Sequence, residues 1–156
     1  MDPSLDDGFE RQFFEYVLDV AVVANATQQP ASLQIYSDAD FEWWWNKVSR
    51  TSGLLKLLMK EAGTGRDFIG TTVASGSNAT AFNGINIDNW AGTAAGNGAW
   101  PLAVPYVMPA TRVYSFYFTD TSGATNNAEL VFSGFKLWPS PQPVASSASA
   151  SSKSSS

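Results

Sequence analysis

Apolar and polar residues alternate along much of the chain, most regularly in the segment that begins at Gln12. There every second residue is apolar, and the set comprises Phe14, Tyr16, Leu18, Val20 and Val22. A period of two matches a β-strand that buries one of its faces. The pattern therefore predicts an early strand packed on a hydrophobic core.

Similar alternation between turn-forming residues predicts several more short strands. They are LQIY at 33–36, the tryptophan-rich segment at 41–46, RVYSFYFTD from residue 112 and ELVFSGFKLW at 129–138. Because the last two are joined by the polar loop 121–127, they are expected to pair as a hairpin. A β-bulge is expected at Gly134.

The segment GLLKLLMKEAG at 53–63 fits both the helical and the strand period. We interpret it as a strand, because Gly63 and Gly65 in EAGTGRDF suit a hairpin loop that leads into FIGTTV at 68–73.

Two segments lack a regular pattern. Residues 74–100 are rich in small and polar residues, so they are expected to form a surface excursion pinned by isolated apolar anchors. These anchors are Phe82, Ile85, Ile87, Trp90 and Trp100. Prolines at 101, 105 and 109 remove backbone donors from PLAVPYVMP, which predicts an irregular strap or an edge strand.

These elements predict an all-β fold, namely a β-sandwich or jelly-roll-like barrel with long irregular loops and disordered tails. The predicted organisation is an acidic N-terminal arm at 1–11, a β-sandwich domain at 12–138 and a Ser/Pro/Ala-rich tail at 139–156. The tail has too few large apolar residues to fold, so it is expected to be disordered.

The segment FEWWWNK at 41–47 contains half of the six tryptophans in the chain. Simple alternation places Phe41, Trp43 and Trp45 in the core. It places Glu42, Trp44 and Asn46 on the face nearer water. Because exposed tryptophans commonly anchor protein interfaces, the predicted partner interface consists of Trp44, Glu42 and Asn46.

Composition narrows the range of functions. The chain contains no cysteine and no histidine, which excludes disulfides, thiolate or imidazole catalysis, and metal sites built from those side chains. The net charge is −5 and Lys and Arg are not clustered, so nucleic acid is not an expected partner. No apolar run approaches the roughly 20 residues that cross a bilayer, so no membrane partner is expected.

Asp38, Asp40 and Glu42 are the candidate acids for catalysis or metal binding. Glycoside hydrolysis needs two carboxylates across a cleft, and a calcium loop needs a longer run of spaced acids. Carboxylates on one strand can approach the short end of the separation that a glycosidase needs, but the sequence supplies no cleft, and only the first two acids fit a calcium loop. They are therefore interpreted as groups that cap backbone donors in a turn. The sequence therefore predicts no enzyme, no catalytic residue, no cofactor and no metal.

The order of motifs resembles that of small structural proteins encoded by tailed bacteriophages. The motifs are LQIYSDADFEWWW, GTGRDFIG, WPLAVPYVMPATRV and LVFSGFKLW, and they cover nearly all of residues 12–138. The resemblance implies a virion component, first of all a decoration or cement protein that binds the major capsid protein and associates with itself as a dimer or trimer. It implies a place on the capsid surface, after assembly in the host cytoplasm. The triple tryptophan and the Ser-rich tail depart from the pattern.

Two other non-enzymatic functions stay open. Indole rings stack on sugar rings, so one alternative is a carbohydrate-binding module or the receptor-binding tip of a tail or fibre. The other alternative is a component of the head–tail connector.

Overall fold

The computed structural model describes residues 8–68, 84–91 and 99–139. These residues form eight strands and one short helix: β1 (Phe9–Val22), β2 (Gln29–Gln34), β3 (Asp40–Arg50), β4 (Leu55–Glu61), β5 (Ile85–Asn86), α1 (Ile87–Ala91), β6 (Trp100–Met108), β7 (Val113–Asp120) and β8 (Asn126–Pro139). Sheet A has the strand order β1-β8-β3-β6, and sheet B has the order β2-β7-β4-β5. The predicted all-β sandwich is confirmed, and within the described ranges the sheets do not close into a barrel.

The strands pair as in a jelly roll. β1 pairs with β8, β2 with β7, β3 with β6 and β4 with β5, all antiparallel. This is the pattern of one long hairpin ribbon whose tip lies between β4 and β5. Folding the ribbon over itself adds the pairs β3–β8 and β4–β7 and thereby makes two sheets. The two ends of the domain, β1 and β8, are therefore neighbours.

The core lies between the inner faces of the two sheets. Every second residue of β7 is buried there, and the ring of Phe116 meets Phe132 of β8 with centroids 5.6 Å apart. Burying such a side chain fully contributes about 1.5–3 kcal/mol, so this aromatic layer is a main source of stability. Other fully buried members are Tyr114, Phe118, Leu55, Leu57, Met59, Ile35, Phe41 and Leu130.

The predicted hairpin between the segment from residue 112 and 129–138 is wrong. β7 lies in sheet B and β8 in sheet A, and the connection between them crosses the sandwich. Phe116 and Phe132 face each other across the core, whereas hairpin partners would lie side by side in one sheet. Asp120 holds the crossing, because its carboxylate accepts hydrogen bonds from Asn25 N, Gly123 N and Ser122 Oγ.

The strand interpretation of residues 53–63 is confirmed by β4. In the hairpin that follows, Lys60 and Asp67 form a bridge. Of the strand predicted at 68–73, only Phe68 lies within the described residues. The strand predicted at 33–36 overlaps the observed β2 only at Leu33 and Gln34, because β2 runs from Gln29 to Gln34. β2 admits Pro30 because it is an edge strand of sheet B.

The polar excursion contains a short helix that the sequence did not predict. α1 begins after Asn86, whose Oδ1 accepts a hydrogen bond from Asp88 N at 2.9 Å and caps the helix. Of the predicted anchors, Ile87 and Trp90 are buried, Trp100 is exposed and Ile85 packs on the core only in part. Phe82 lies outside the described residues. The proline-rich segment forms β6, an edge strand of sheet A, as expected.

The N-terminal strand starts at Phe9, ahead of the expected Gln12. The last residues of β8 supply partners for this extension, since Phe9 pairs with Pro139 and Arg11 with Leu137. The rest of the predicted arm, residues 1–7, and the tail from residue 140 lie outside the described residues. Within the described ranges, no helix has the length and apolarity needed to cross a membrane.

β3 contains a bulge at Trp44, opposite Gly134 of β8. Trp43 pairs with Gly134 and Trp45 pairs with Ser133, so Trp44 is the extra residue. A Cβ on Gly134 would lie 2.0 Å from the carbonyl oxygen of Glu42. The irregularity predicted at Gly134 is therefore found there, but β3 supplies the additional residue.

Replacing Gly134 with alanine is expected to destabilise the domain strongly. The new methyl group meets backbone rather than a movable side chain, so β3 and β8 must separate, at a cost of about 3 kcal/mol. Urea unfolding of Gly134→Ala against Gly63→Ala measures this cost, because a Cβ at Gly63 meets only the Arg112 guanidinium at 3.4 Å. Equal midpoints for the two variants would contradict the tight approach of the strands.

Candidate functional site

The bulge at Trp44 determines which side chains of β3 reach the surface. Before it, Phe41 and Trp43 are buried in the core; after it, Asn46 takes the inward position and is 2% exposed. Trp45 consequently faces the outside of sheet A. The predictions that Trp45 is a core residue and that Asn46 lies near water are wrong, because they assumed an uninterrupted period of two.

Trp44 is partly buried and packs on the outer side of sheet A. Its ring lies 5.6 Å from that of Trp45, with 30° between the planes, and meets Phe135 edge-on at 6.3 Å. Its Nε1 is buried and has no acceptor among the described residues. Neighbouring aromatic rings therefore cover much of this side chain.

Glu42 shares this outer side, and its carboxylate accepts a hydrogen bond from Arg11 Nε at 3.2 Å. Of the three predicted interface residues, Trp44 and Glu42 therefore lie on one face. Asn46 points to the opposite side of the sheet.

Cross-strand neighbours build rows across this outer face of sheet A. The rows are Phe13, Phe135 and Glu42; Glu15, Ser133 and Trp45; and Val17, Val131 and Lys47. Phe13 is 57% exposed and Val17 51%, and Val107 of the adjacent β6 is 41% exposed. The face thus presents large apolar side chains to solvent beside two partly covered tryptophans.

Two ion pairs lie on the outer face of sheet A. Lys47 Nζ donates to Glu15 Oε1 at 2.7 Å, and Ser133 Oγ donates to the same oxygen at 2.8 Å. Both hydrogen bonds lower the pKa of Glu15, and the bond from Lys47 makes the larger contribution. Arg11 is the basic neighbour of Glu42, so both acids of the three rows are paired.

Two further acids lie farther along the same face. Asp19 and Glu129 stand opposite each other there, beyond the three rows.

A second candidate site is a pocket of about 380 Å³ at the edge of the sandwich, where β5, α1 and β6 meet. β6 arches over it: Tyr106 pairs with Trp43 and Pro101 with Trp45, so residues 102–105 stand opposite Trp44 alone. We call residues 102–105 the β6 arch. The pocket is lined by Trp43, Asn46, Phe68, Ile85, Asn89, Trp90, Leu102, Val104 and Tyr106.

The inner end of this pocket is built by β3 and α1. The rings of Trp43 and Trp90 lie 6.3 Å apart, and Asn46 Nδ2 donates to the carbonyl oxygen of Trp90 at 3.1 Å. The guanidinium of Arg50 donates two hydrogen bonds, of 2.5 and 2.7 Å, to the carboxylate of Asp88, and this ion pair holds α1 against β3. The sequence indicated Trp90 as an anchor. Its hydrogen bond with Asn46 could not be predicted, because Asn46 faces the core only as a result of the bulge.

The three candidate acids are not brought together into one site. Asp38 binds Lys136, Asp40 Oδ1 accepts a hydrogen bond from Ala110 N at 2.7 Å, and Glu42 binds Arg11. Across the described ranges, no cluster of three or more acidic side chains is arranged to hold a metal ion.

Lys136, the partner of Asp38, carries a buried charge. It is 5% exposed, and its ammonium lies 4.3 Å from the ring centre of Phe14 and 5.0 Å from that of Tyr36. Aromatic faces and the Asp38 carboxylate replace the water that the ammonium loses on folding. We therefore assign this cluster a role in the stability of the fold.

Comparison of the chain with known protein families, with characterised proteins and with solved structures finds no match.

Asp38→Asn is expected to destabilise the domain at neutral pH, because it leaves the enclosed Lys136 ammonium without its carboxylate. The hydrogen bond from Lys136 is the main cause that lowers the pKa of Asp38 below 3.8. A folded-state pKa below the unfolded one gives stability that is present above the unfolded pKa and is lost as the pH falls through the folded value. The free-energy gap between wild type and variant should therefore close below pH 3.8.

Urea unfolding over a pH series measures this gap. Glu15→Gln is the matched control, since it breaks the more exposed pair with Lys47 and is expected to cost less than about 1 kcal/mol. A gap for Asp38→Asn that is independent of pH, or no larger than that of the control, would rule out the role assigned to the pair.

Proposed function

We propose that this protein is a non-enzymatic structural component of a tailed-bacteriophage virion, namely a decoration protein that binds the major capsid protein. The observation that carries the proposal is the outer face of sheet A, with exposed Phe13, Val17 and Val107 beside Trp44 and Trp45. The order of motifs along the sequence supports the virion assignment.

The outer face of sheet A has the composition of a protein interface. Aromatic residues are enriched in interface cores, and tryptophans are frequent sources of binding energy there. The pairs Arg11–Glu42 and Lys47–Glu15 neutralise charge around the three rows. A partner can therefore cover these rows without supplying a counter-charge for each of the paired groups.

Self-association as a dimer or trimer is part of the proposal. β1 lies at the edge of sheet A and carries both Phe13 and Val17. A neighbouring copy at this edge would extend the apolar surface that the capsid subunit covers. Edge strands also offer backbone groups for pairing with another chain.

The virion assignment is tested by mass spectrometry and electron cryo-microscopy of purified virions from the phage that encodes the protein. Density for the sandwich on the capsid surface, with the outer face of sheet A against the shell, is the expected result. Absence of the protein from purified virions would reject the assignment.

Replacing Val17 with lysine is expected to weaken binding to purified capsid shells at least tenfold, about 1.4 kcal/mol, because the new ammonium loses water inside an apolar contact. Val23→Lys is the matched control, since Val23 is 59% exposed but lies beyond the end of β1. Cosedimentation measures shell binding, and light scattering measures self-association. If the two variants bind the shell equally, the outer face of sheet A is not the docking surface.

Glycan binding is the second candidate, favoured by the neighbouring rings of Trp44 and Trp45 on the same face. Two indoles inclined by only 30° offer a surface on which sugar rings can stack. Binding on a glycan array that is lost in Trp45→Ala and kept in Val23→Lys would favour this function. Binding to no glycan by the wild-type protein would exclude it.

A further inference from the structure

We propose that the pocket under the β6 arch binds a neutral aromatic ring that carries one N–H or O–H donor, such as an indole or a phenol, and that Asn46 Oδ1 is its acceptor. The pocket opens at the edge of the sandwich, whereas the outer face of sheet A lies on the far side of β3. The proposal therefore does not depend on capsid binding.

The walls of the pocket select a flat apolar ligand. Trp43 and Trp90 stand at its inner end, and Phe68 packs edge-on against Tyr106 with centroids 4.7 Å apart. Aromatic rings prefer inclined or offset neighbours of this kind, so a further ring can join the cluster. The volume of about 380 Å³ lies within the range of small-molecule sites.

Asn46 provides the polar group that orients the ligand. Its side chain is 2% exposed, and its Nδ2 is already bound to the carbonyl oxygen of Trp90. Its Oδ1 is buried and has no donor among the described residues. Buried acceptors in native proteins are nearly always paired, so this oxygen points to a ligand that brings a donor into the pocket.

The remaining lining residues exclude other ligand classes. None of the described residues that line the pocket carries a charge, so an ionic ligand would lose its water without compensation. The polar side chains in the lining are Asn46, Asn89 and Tyr106. A sugar ring would bury more hydroxyl groups than these can pair, whereas a ring with one donor needs only Asn46 Oδ1.

A free metabolite and an aromatic side chain of a partner protein present the same chemistry to this pocket. In either case the ring enters past Val104 of the β6 arch, which is 74% exposed, and ends at Trp43 and Asn46.

The test is titration of the full chain with indole and with 1-methylindole, followed by nuclear magnetic resonance of the Asn46 side-chain amide and of the Trp43 and Trp90 indole signals. Indole is expected to shift these signals saturably. 1-Methylindole, which lacks the donor, should bind at least tenfold more weakly. No saturable shift with indole, or equal binding of the two compounds, would overturn the proposal.

Two variants locate the binding. Val104→Trp places a ring at the mouth of the pocket and should abolish the indole shifts, whereas Val17→Trp makes the same change on the outer face of sheet A and should leave them intact. Indole shifts that survive Val104→Trp would refute the assigned site. Both positions are exposed, so neither variant should disturb folding.

Two further ligands separate the sources. A short Gly/Ser peptide with one central tryptophan that binds more tightly than indole would support a protein partner, and weaker peptide binding would support a free small molecule. Methyl glucoside is the contrasting class. Saturable shifts with it in the absence of indole binding would overturn the aromatic assignment.

Discussion

The close approach of β3 to β8 at Gly134 is the constraint on which the two candidate sites depend. The carbonyl of Glu42 occupies the space that a side chain at Gly134 would need, and Trp44 is the extra residue at this point. From there on β3 presents its opposite side to the core. The bulge therefore places Trp45 on the outer face of sheet A and the amide of Asn46 on the core side. One close contact at Gly134 thus positions both the apolar outer face and the polar end of the pocket.

The jelly-roll pairing explains why the pocket forms at one edge of the sandwich. At the β1–β2 edge, the Gln29 side chain bonds Ala21 O and Val23 N, and the Tyr16 hydroxyl accepts a hydrogen bond from Tyr36 N. At the other edge, two-residue β5 and the arched β6 leave a gap that α1 and Trp90 fill only in part. A very short strand and an arched one thus leave room between the sheets, whereas side-chain hydrogen bonds close the opposite edge.

Charged groups in this domain serve mainly to hold elements together. Arg50 fixes α1 through Asp88, Lys136 is enclosed with Asp38, and Asp120 gathers the backbone donors of the crossing loop. These charges are used inside the fold, so the binding proposed for this protein is assigned to its aromatic and aliphatic surfaces.

The sequence by itself determined most of the strands and their local character. Alternation in β1 and β7 specified strands with one buried face, the glycines after β4 favoured a strand there, and the prolines of β6 favoured a strap or an edge strand. These properties depend on neighbouring residues. Only the tertiary structure decided the rest. That β7 and β8 lie in different sheets, that Trp44 is the bulged residue and that Asn46 meets Trp90 all depend on which distant strands pair. A period of two cannot reveal a shift that arises from the approach of another strand.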